Sequence, residues 1–317
     1  MAATTVLLLS VDEAELLRHS LPAALAQPGA EVVVVDNACT DATAALAAEH
    51  GADHLRLEPR RSYAEAINAA IAATRGEAVL LLNADCFLEP GFLAAARPRL
   101  DEPDVGSVAV KLLRTTGPEP AQALGVIDAC GMTLDRRRKN GLAGHGAPAS
   151  SHARPGGAFG ADGAAALYRR ATLQDCAPSG EVLDEDMALW ATDADLAWRA
   201  RLLGWRCVYE PAATARHVRT YSPSTRARVA PVARRRQFRN RLLMVVKNET
   251  AAGLRRDGVP IVGYEILAFG YALLREPSLL PGYLEAVALL APTLRRRRAV
   301  QARRRTLRPP FGLTPPT

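Results

Sequence analysis

The sequence predicts an α/β fold, a mostly parallel sheet flanked by helices, with a basic helical extension at its C-terminal end. Three observations carry this. Residues 6–9, 32–35, 79–82 and 105–110 are short uninterrupted apolar runs, among them Val32-Val33-Val34-Val35; strands buried on both faces read this way, whereas a half-exposed strand alternates. Residues 13–26, 41–49 and 63–74, between these runs, have helix-forming composition, and strand–helix alternation builds a parallel sheet through right-handed crossovers. Beyond Pro231 the pattern is helical and rich in arginine.

Residues 114–158 break the alternation. They are rich in Gly, Pro and Arg and are expected to form a loop-dominated excursion over one face of the sheet. A strand is expected again at residues 164–168. A compact helix follows over residues 193–203, closed by Gly204 in the usual C-terminal stop position. Residues 205–209 read as a further strand, ended by Pro211. Residues 1–225 are then expected to form one domain, in halves of about 1–112 and 113–225, and residues 226–317 the extension. The longest apolar stretch of the extension, residues 259–274, has sixteen residues and carries Glu265. A span needs about twenty apolar residues, so none is expected there. No signal peptide is expected either, since residues 1–5 carry no basic side chain and the run 6–9 is too short.

A hydrophobic fraction of 49% with 23% charged residues excludes disordered, collagen-like and coiled-coil classes. The five cysteines, Cys39, Cys86, Cys130, Cys176 and Cys207, stand at least thirty residues apart. That spacing excludes a CxxC site, and an odd, dispersed set argues against a disulfide framework, so a reducing compartment is expected. The net charge of +7 conceals a division: residues 226–317 hold 19 Lys and Arg against 5 acidic residues, leaving the first 225 residues at −7. An acidic body with a basic tail directs the tail toward an anionic surface, nucleic acid or lipid.

Ligands of open α/β sheets bind beyond the carboxyl ends of the strands. Asp36 directly follows the second apolar run and Asp85 lies just after the third. Either alone reads as a turn former; two at neighbouring strand ends favour a shared ligand. No GxGxxG follows the first strand, and no GxxxxGK[ST], GxSxG or HExxH occurs, which argues against nicotinamide, P-loop, serine-hydrolase and zincin chemistry. In residues 190–199 (WATDADLAWR), Thr192 and Asp195 have the spacing of a capping box, and Asp193 would complement the helix dipole. Capping accounts less well for Asp184, Glu185 and Asp186 just upstream. His217 falls in an arginine-flanked loop. A histidine there is more often a surface residue than a ligand, but with Asp85 it offers an oxygen-and-nitrogen site for Mn²⁺ or Mg²⁺ holding a diphosphate.

Taken in order, residues 32–41 (VVVVDNACTD), 80–88 (LLLNADCFL) with Pro90-Gly91, 158–170 (AFGADGAAALYRR), 192–201 (TDADLAWRAR), 203–211 (LGWRCVYEP), His217 and 238–248 (FRNRLLMVVKN) resemble family-2 glycosyltransferases. The nearest subgroup is the bacterial rhamnosyltransferase-like one. The resemblance implies a GT-A fold and inverting transfer of rhamnose or another hexose from a UDP- or dTDP-sugar, with Mn²⁺ or Mg²⁺. The acceptor it implies is cell-envelope, lipid-linked or polysaccharide. The first half of the domain would bind the nucleotide, the second the acceptor. Asp36 resembles the acid that holds the donor's base or ribose, and Asn68 a recurrent donor-side Asn. Asp85 resembles the last residue of the DxD element, His217 the histidine beside the metal, and Asp193 the catalytic base. Arg239 and Arg241 are expected to neutralise the leaving diphosphate. An inverting transfer needs a carboxylate across the sugar from the leaving group, and a helix N-terminus is expected to keep Asp193 ionised.

This chain departs from the family pattern twice: Asn83 replaces the first carboxylate of the DxD, and Thr192 the Glu that usually precedes the base. These keep a second class in view, a catalytically impaired scaffold that binds sugar nucleotide or membrane. The arginines at 295–298 and 303–305 are expected to meet anionic lipid, making the protein cytoplasmic and peripheral at the inner face of the plasma membrane. No nucleic-acid partner is expected, because few aromatics interleave the basic clusters. Packing of these helices on the body or in a homo-oligomer remains an alternative use of them.

Overall fold

The computed structural model describes residues 4–219 and 229–306. The predicted alternation opens it: β1 (Thr4–Ser10), α1 (Ala14–Leu25), β2 (Ala30–Asp36), α2 (Thr43–Glu49), β3 (Asp53–Arg56), α3 (Tyr63–Ala73) and β4 (Ala78–Asn83). β1 pairs in parallel with β2 and β4, and β2 with β3. The strand missed from sequence is β3, whose largely exposed residues (Asp53, His54, Leu55, Arg56) lie at the sheet edge and show no apolar run. Alternate side chains feed two cores. Val6, Leu8, Val32 and Val34 pack with Leu17 and Leu21 of α1, while Leu7, Leu9, Val33 and Val35 pack with Ile67 and Ile71 of α3.

Residues 114–158 are not the loop expected. After β5 (Cys86–Leu88), α4 (Phe92–Ala96) and β6 (Val105–Thr115), β7 (Ala123–Ala129) pairs antiparallel with β6. β8 (Met132–Leu134) and β9 (Asn140–Leu142) then form a hairpin, and β10 (Gly156–Ala158) joins the edge of the sheet. A segment lying against a sheet must satisfy its backbone N–H and C=O groups, and short strands do so here despite the Gly-rich composition. β11 (Ala165–Arg169) inserts antiparallel between β4 and β6. α5 (Arg170–Asp175), α6 (Thr192–Leu202) and β12 (Arg206–His217) complete the body, with the strand order β10-β12-β6-β11-β4-β1-β2-β3. Pro211 does not end the last strand. β12 passes through a register shift between Glu210 and Thr214 and runs on to His217; a proline lacking its N–H is accommodated at such an irregularity.

The extension comprises α7 (Pro231–Asn248), α8 (Ala251–Leu274), α9 (Pro281–Ala288) and α10 (Leu290–Ala302). Leu243, Met244 and Val300 share a core with Phe159, Trp198 and Leu202 of the body. Buried charges reinforce the contact. Lys247 lies between Asp184 and Asp195 (3.0 Å to the latter), and Asp195 also takes hydrogen bonds from Arg199 (2.9 Å) and Asn248 (2.7 Å).

Part of the arginine clusters takes the packing alternative. Arg296 pairs with Asp186 and Glu181 (2.5 and 2.9 Å), Arg297 donates to the carbonyls of Val246 and Glu249 (both 2.7 Å), and Arg303 meets Asp175 at 3.1 Å. Arg296 and Arg303 fasten the tail to acidic residues of the body, and Arg297 ties α10 to the end of α7. α8 has 24 residues and breaks at Asp257 (φ −122°, ψ 16°). By length and composition alone it is long and apolar enough to cross a membrane, with 17% of its apolar window buried.

Replacing Lys247 by Met keeps the volume of the stem but removes the cation between two buried carboxylates, leaving Asp195 to Arg199 and Asn248 and Asp184 to Arg296. Removing one partner of a buried ion cluster predicts a loss of about 3–5 kcal/mol, measured as the shift in urea unfolding against the parent.

Candidate active site

The pairing of β5 with β12 makes Cys86 and His217 register partners, which brings Asp85, one residue before β5, to the end of β12. His217 Nε2 lies 3.4 Å from Asp85 Oδ1, and His217 Nδ1 lies 2.8 Å from Asp128 Oδ2. The loop placement read from sequence is therefore wrong: His217 is the last residue of a strand and is 5% exposed. Asp128, on β7, is fully buried and also accepts from Arg219 at 2.7 and 2.8 Å, while Arg219 donates onward to Asp162 at 2.9 Å. Burial alone would lower the His217 pKa, but Asp128 and Asp85 outweigh it and raise the imidazole to about 9. Burial opposes ionisation of Asp128 as well, yet His217 and Arg219 hold its carboxyl below the usual range.

Asp85 Oδ1 is buried and makes no well-formed hydrogen bond among the described residues. Half-buried Glu13 is pushed up to about 6 by its burial and by the nearby charge of Asp85. Asp85 Oδ1 faces an imidazole whose second nitrogen is held by a buried carboxylate, which suits a divalent cation and its outer support once the cation displaces the Nε2 proton. The residues fit the metal that the resemblance implies.

At the end of β2, Asp36 is fully buried and both its oxygens are engaged. Oδ1 accepts from the Cys39 N–H (2.7 Å), and Oδ2 faces His54 Nε2 (3.0 Å) and Arg56 (2.9 Å). Burial raises its pKa, but these partners more than compensate and hold it low. The groups more open at this strand end are Arg56, Asp12 and Arg60, the last two ion-paired. None of the three stood out in the sequence, where isolated charges in loops are ordinary.

Asp193 is the second residue of α6, and the chain ahead of the helix is unusual. Ala188 sits at φ 63°, ψ −62°, with the Leu189 N–H bonded to the Met187 carbonyl at 2.8 Å, and Ala191 sits at φ 64°. Such γ-turn and left-handed conformations are strained for residues with a Cβ. Three contacts hold them. The Asn240 amide on α7 donates to the carbonyls of Met187 (2.6 Å) and Trp190 (2.8 Å), and the Ala64 N–H on α3 reaches the Ala188 carbonyl (2.8 Å). The Asn68 amide donates to the Leu183 carbonyl and accepts from its N–H (2.9 and 2.8 Å). Asn68 thus serves as a staple on residues 183–185, not as an open donor-side group.

The capping-box reading also fails. Thr192 donates to the Leu189 carbonyl at 2.9 Å, Asp195 is committed to the buried ion cluster, and the N-cap residue Ala191 makes no side-chain cap. α6 is seated through Gly160, where a Cβ would stand 2.4 Å from that of Ala197.

Asp193 Oδ1 accepts from the Ala194 N–H at 2.8 Å, and its carboxylate also takes a hydrogen bond from the Gly163 N–H. The helix N-terminus does not hold the Asp193 pKa low, although the acid stays mostly ionised at pH 7. Burial, then repulsion from Asp162, raises its pKa to about 6 despite these N–H groups and Arg219. Asp193 opens into a cavity of about 790 Å³ whose lining includes Asp162, Arg219, His145 and, from the extension, Arg241, Tyr264 and Leu267. Arg241 stacks on Tyr264 at 4.4 Å and pairs with Glu265 at 2.5 Å. Arg239 is not among the lining residues; it braces the Asp186 carbonyl (2.8 Å) and Asn240. Asp128, Arg219 and Asn240 are the site residues that sequence reasoning missed. In residues 238–248 charge drew attention to the two arginines, while the buried polar group between them is Asn240.

A family profile described as glycosyltransferase like family 2 matches residues 2–240. An uncharacterised glycosyltransferase of Mycobacterium tuberculosis is 39% identical over 102 residues, 32% of this chain and 44% of that protein. The succinoglycan biosynthesis protein ExoU of Rhizobium meliloti is 37% identical over 94 residues, 28% of each chain. The chain thus spans less than half the length of these curated relatives. Among solved structures, a mannosyltransferase from Pyrobaculum calidifontis in complex with GDP-Man and Mn²⁺ superposes with a TM-score of 0.54 at 20% identity, over 95% of this chain and 86% of the other. Staphylococcus aureus TarS 1-349 in complex with UDP-GlcNAc gives 0.57 at 16%, over 94% and 88%. The likeness to both is one of fold, the GT-A arrangement.

Asn240→Ala leaves two buried carbonyls without their donor and releases a strained turn. A loss of about 1–3 kcal/mol is expected for the unsatisfied groups, measured by chemical denaturation.

Proposed function

The chain belongs to glycosyltransferase family 2, and we propose that it transfers a hexose, with inversion, from a nucleotide-sugar donor to a cell-envelope, lipid-linked or polysaccharide acceptor, with Asp193 as the base. The observation that carries this reading is a partly exposed carboxylate in the wall of a large cavity, raised to about 6. A base titrating just below neutral pH is mostly ionised at pH 7 yet basic enough to take a hydroxyl proton as the new bond forms.

In this reading the acceptor enters the cavity and its hydroxyl donates to the Asp193 carboxylate, which the Ala194 and Gly163 N–H groups orient. The donor's diphosphate lies toward Asp85 and His217, and the charge it gains on leaving is met by Arg219, with Arg241 further along the same wall. A divalent cation there, held by Asp85 and His217, would supply charge stabilisation to the leaving diphosphate. Asp128 keeps the His217 ring oriented through Nδ1. Asp36 orders the nucleotide end indirectly, by holding Arg56, His54 and the Cys39 backbone in place. Mn²⁺ beside GDP-Man in the mannosyltransferase and UDP-GlcNAc in TarS support a metal-assisted nucleotide-sugar site, and the name of the Rhizobium relative supports a polysaccharide acceptor. We keep UDP- or dTDP-sugars as donors and rhamnose or another hexose as the sugar.

Asp193→Asn is expected to retain donor binding while turnover falls about 10²–10⁴-fold. The parent's kcat/KM should fall as pH drops through about 6, a value set by burial and Asp162, which raise it, against the Ala194 and Gly163 N–H groups and Arg219, which lower it. The sign for stability is opposite. A carboxyl raised on folding disfavours the native state above its pKa, so at pH 7 the Asn variant should melt no lower than the parent. Turnover within a few fold of the parent would move the base elsewhere and favour a donor-binding protein.

Asp85→Ala is expected to abolish the Mn²⁺-dependent part of donor affinity in calorimetric titration. Asp128→Ala, one step removed from the cation, should weaken that affinity about 10–100-fold.

A further inference from the structure

We propose that the outward face of α8, continued by α9, is a docking surface for an anionic lipid bilayer. The inward face of α8 packs on the rest of the chain. Asp257, Ile261 and Ala272 are buried, Glu265 pairs with Arg241, and Tyr264 stacks under Arg137 and Arg241. The opposite face carries Val259, Val262, Ile266, Phe269 and Leu273 at spacings of three and four, a single stripe on a helix. These residues are 87, 54, 67, 50 and 52% exposed. Leu274, Leu284 and Val287 widen the stripe, each more than two-thirds exposed.

The occupant follows from where the charges lie. Between Asp257 and Arg275 the only charged side chain on α8 is Glu265, and it turns inward to Arg241. The exposed cations Arg255 and Arg256 stand at one end of the stripe and Arg275 at the other. A helix partner from a second copy is usually registered by charges flanking an apolar seam along its length. Here the flanks are apolar as well, and the cations sit only where a helix lying in a membrane surface would place them among headgroups. The other side of α8 reaches the cavity: Leu267, Ala268 and Tyr271 are part of the wall shared with Asp193. The docking surface and the wall beside the base are thus two sides of one helix, a point that rests on the proposed role of Asp193.

The test is co-sedimentation of the full chain with vesicles of equal parts phosphatidylcholine and phosphatidylglycerol, against phosphatidylcholine alone. The parent is expected to partition to the anionic vesicles. The double variant Ile266→Glu, Leu273→Glu should lose at least tenfold in partition with an unchanged circular-dichroism spectrum. The variant Arg255→Gln, Arg275→Gln leaves the apolar stripe intact and should lose about fivefold for each arginine, on anionic vesicles only. Equal partition of the parent and both variants would overturn the proposal. So would a parent that ignores vesicles but is dimeric in sedimentation equilibrium and becomes monomeric with the two Glu substitutions, which would assign the face to a second copy. Turnover is not read, so this surface and the role of Asp193 can fail separately.

Discussion

The clamp on residues 183–191 is the constraint on which the rest of the site depends. Ala188 and Ala191 occupy positive φ without being glycine, at a cost of about 1–3 kcal/mol each. Such a turn persists only where its surroundings over-determine it. α3 supplies the Ala64 N–H and the Asn68 side chain, and α7 supplies Asn240. The turn sets where α6 begins, and therefore where the first acid of α6 points. Ala191 gives α6 no side-chain cap, Thr192 ties itself back to the turn, and Asp193, bonded to the Ala194 and Gly163 N–H groups, faces the cavity.

The clamp requires α7 to stay docked, and a line of buried charge ensures it. Lys247 is enclosed with Asp184 and Asp195, and Arg296 closes over Glu181 and Asp186. Burying charges is costly unless they are paired, so these groups tolerate little displacement of α7 or α10 relative to α6. A second cluster, Arg138 with Glu249 and Asp257 (3.1 Å to Asp257), ties the first turns of α8 to the segment after β8. The extension is therefore part of the cavity's architecture: it braces the turn and provides a wall through Arg241, Tyr264 and Leu267.

The two ends of the site are tuned by opposite electrostatics. Around Asp193, burial and a neighbouring carboxylate disfavour negative charge and raise the acid toward neutrality. Around His217, two carboxylates favour positive charge and raise the imidazole. The region beside Asp85 thus attracts a cation, whereas the region beside Asp193 favours a proton acceptor of moderate strength. Arg219 lies between them, bonded to both Asp128 and Asp162, and separates the two negative regions.

Much of this architecture was legible in the sequence. The apolar runs and their alternation with helices marked β1, β2, β4 and β6, because a strand buried on both faces has no choice but continuous apolar side chains. The ordered motifs identified the family, and the acids at strand ends and at the start of α6 marked Asp36, Asp85 and Asp193. What could not be read is which polar groups are already paired. Arg239, Arg296 and Arg303 look alike in sequence to arginines waiting for an anion, and Asn68 to an open amide, but each is engaged by a partner from a distant part of the chain. The same holds for Asp128, in a Gly-rich stretch without periodicity, and for Asn240 between two more conspicuous arginines. Local pattern determines which face of an element is apolar, since that depends only on helical or strand spacing. Whether a charge is free, braced or shifted in pKa depends on neighbours tens of residues away, and only the tertiary packing brought those together.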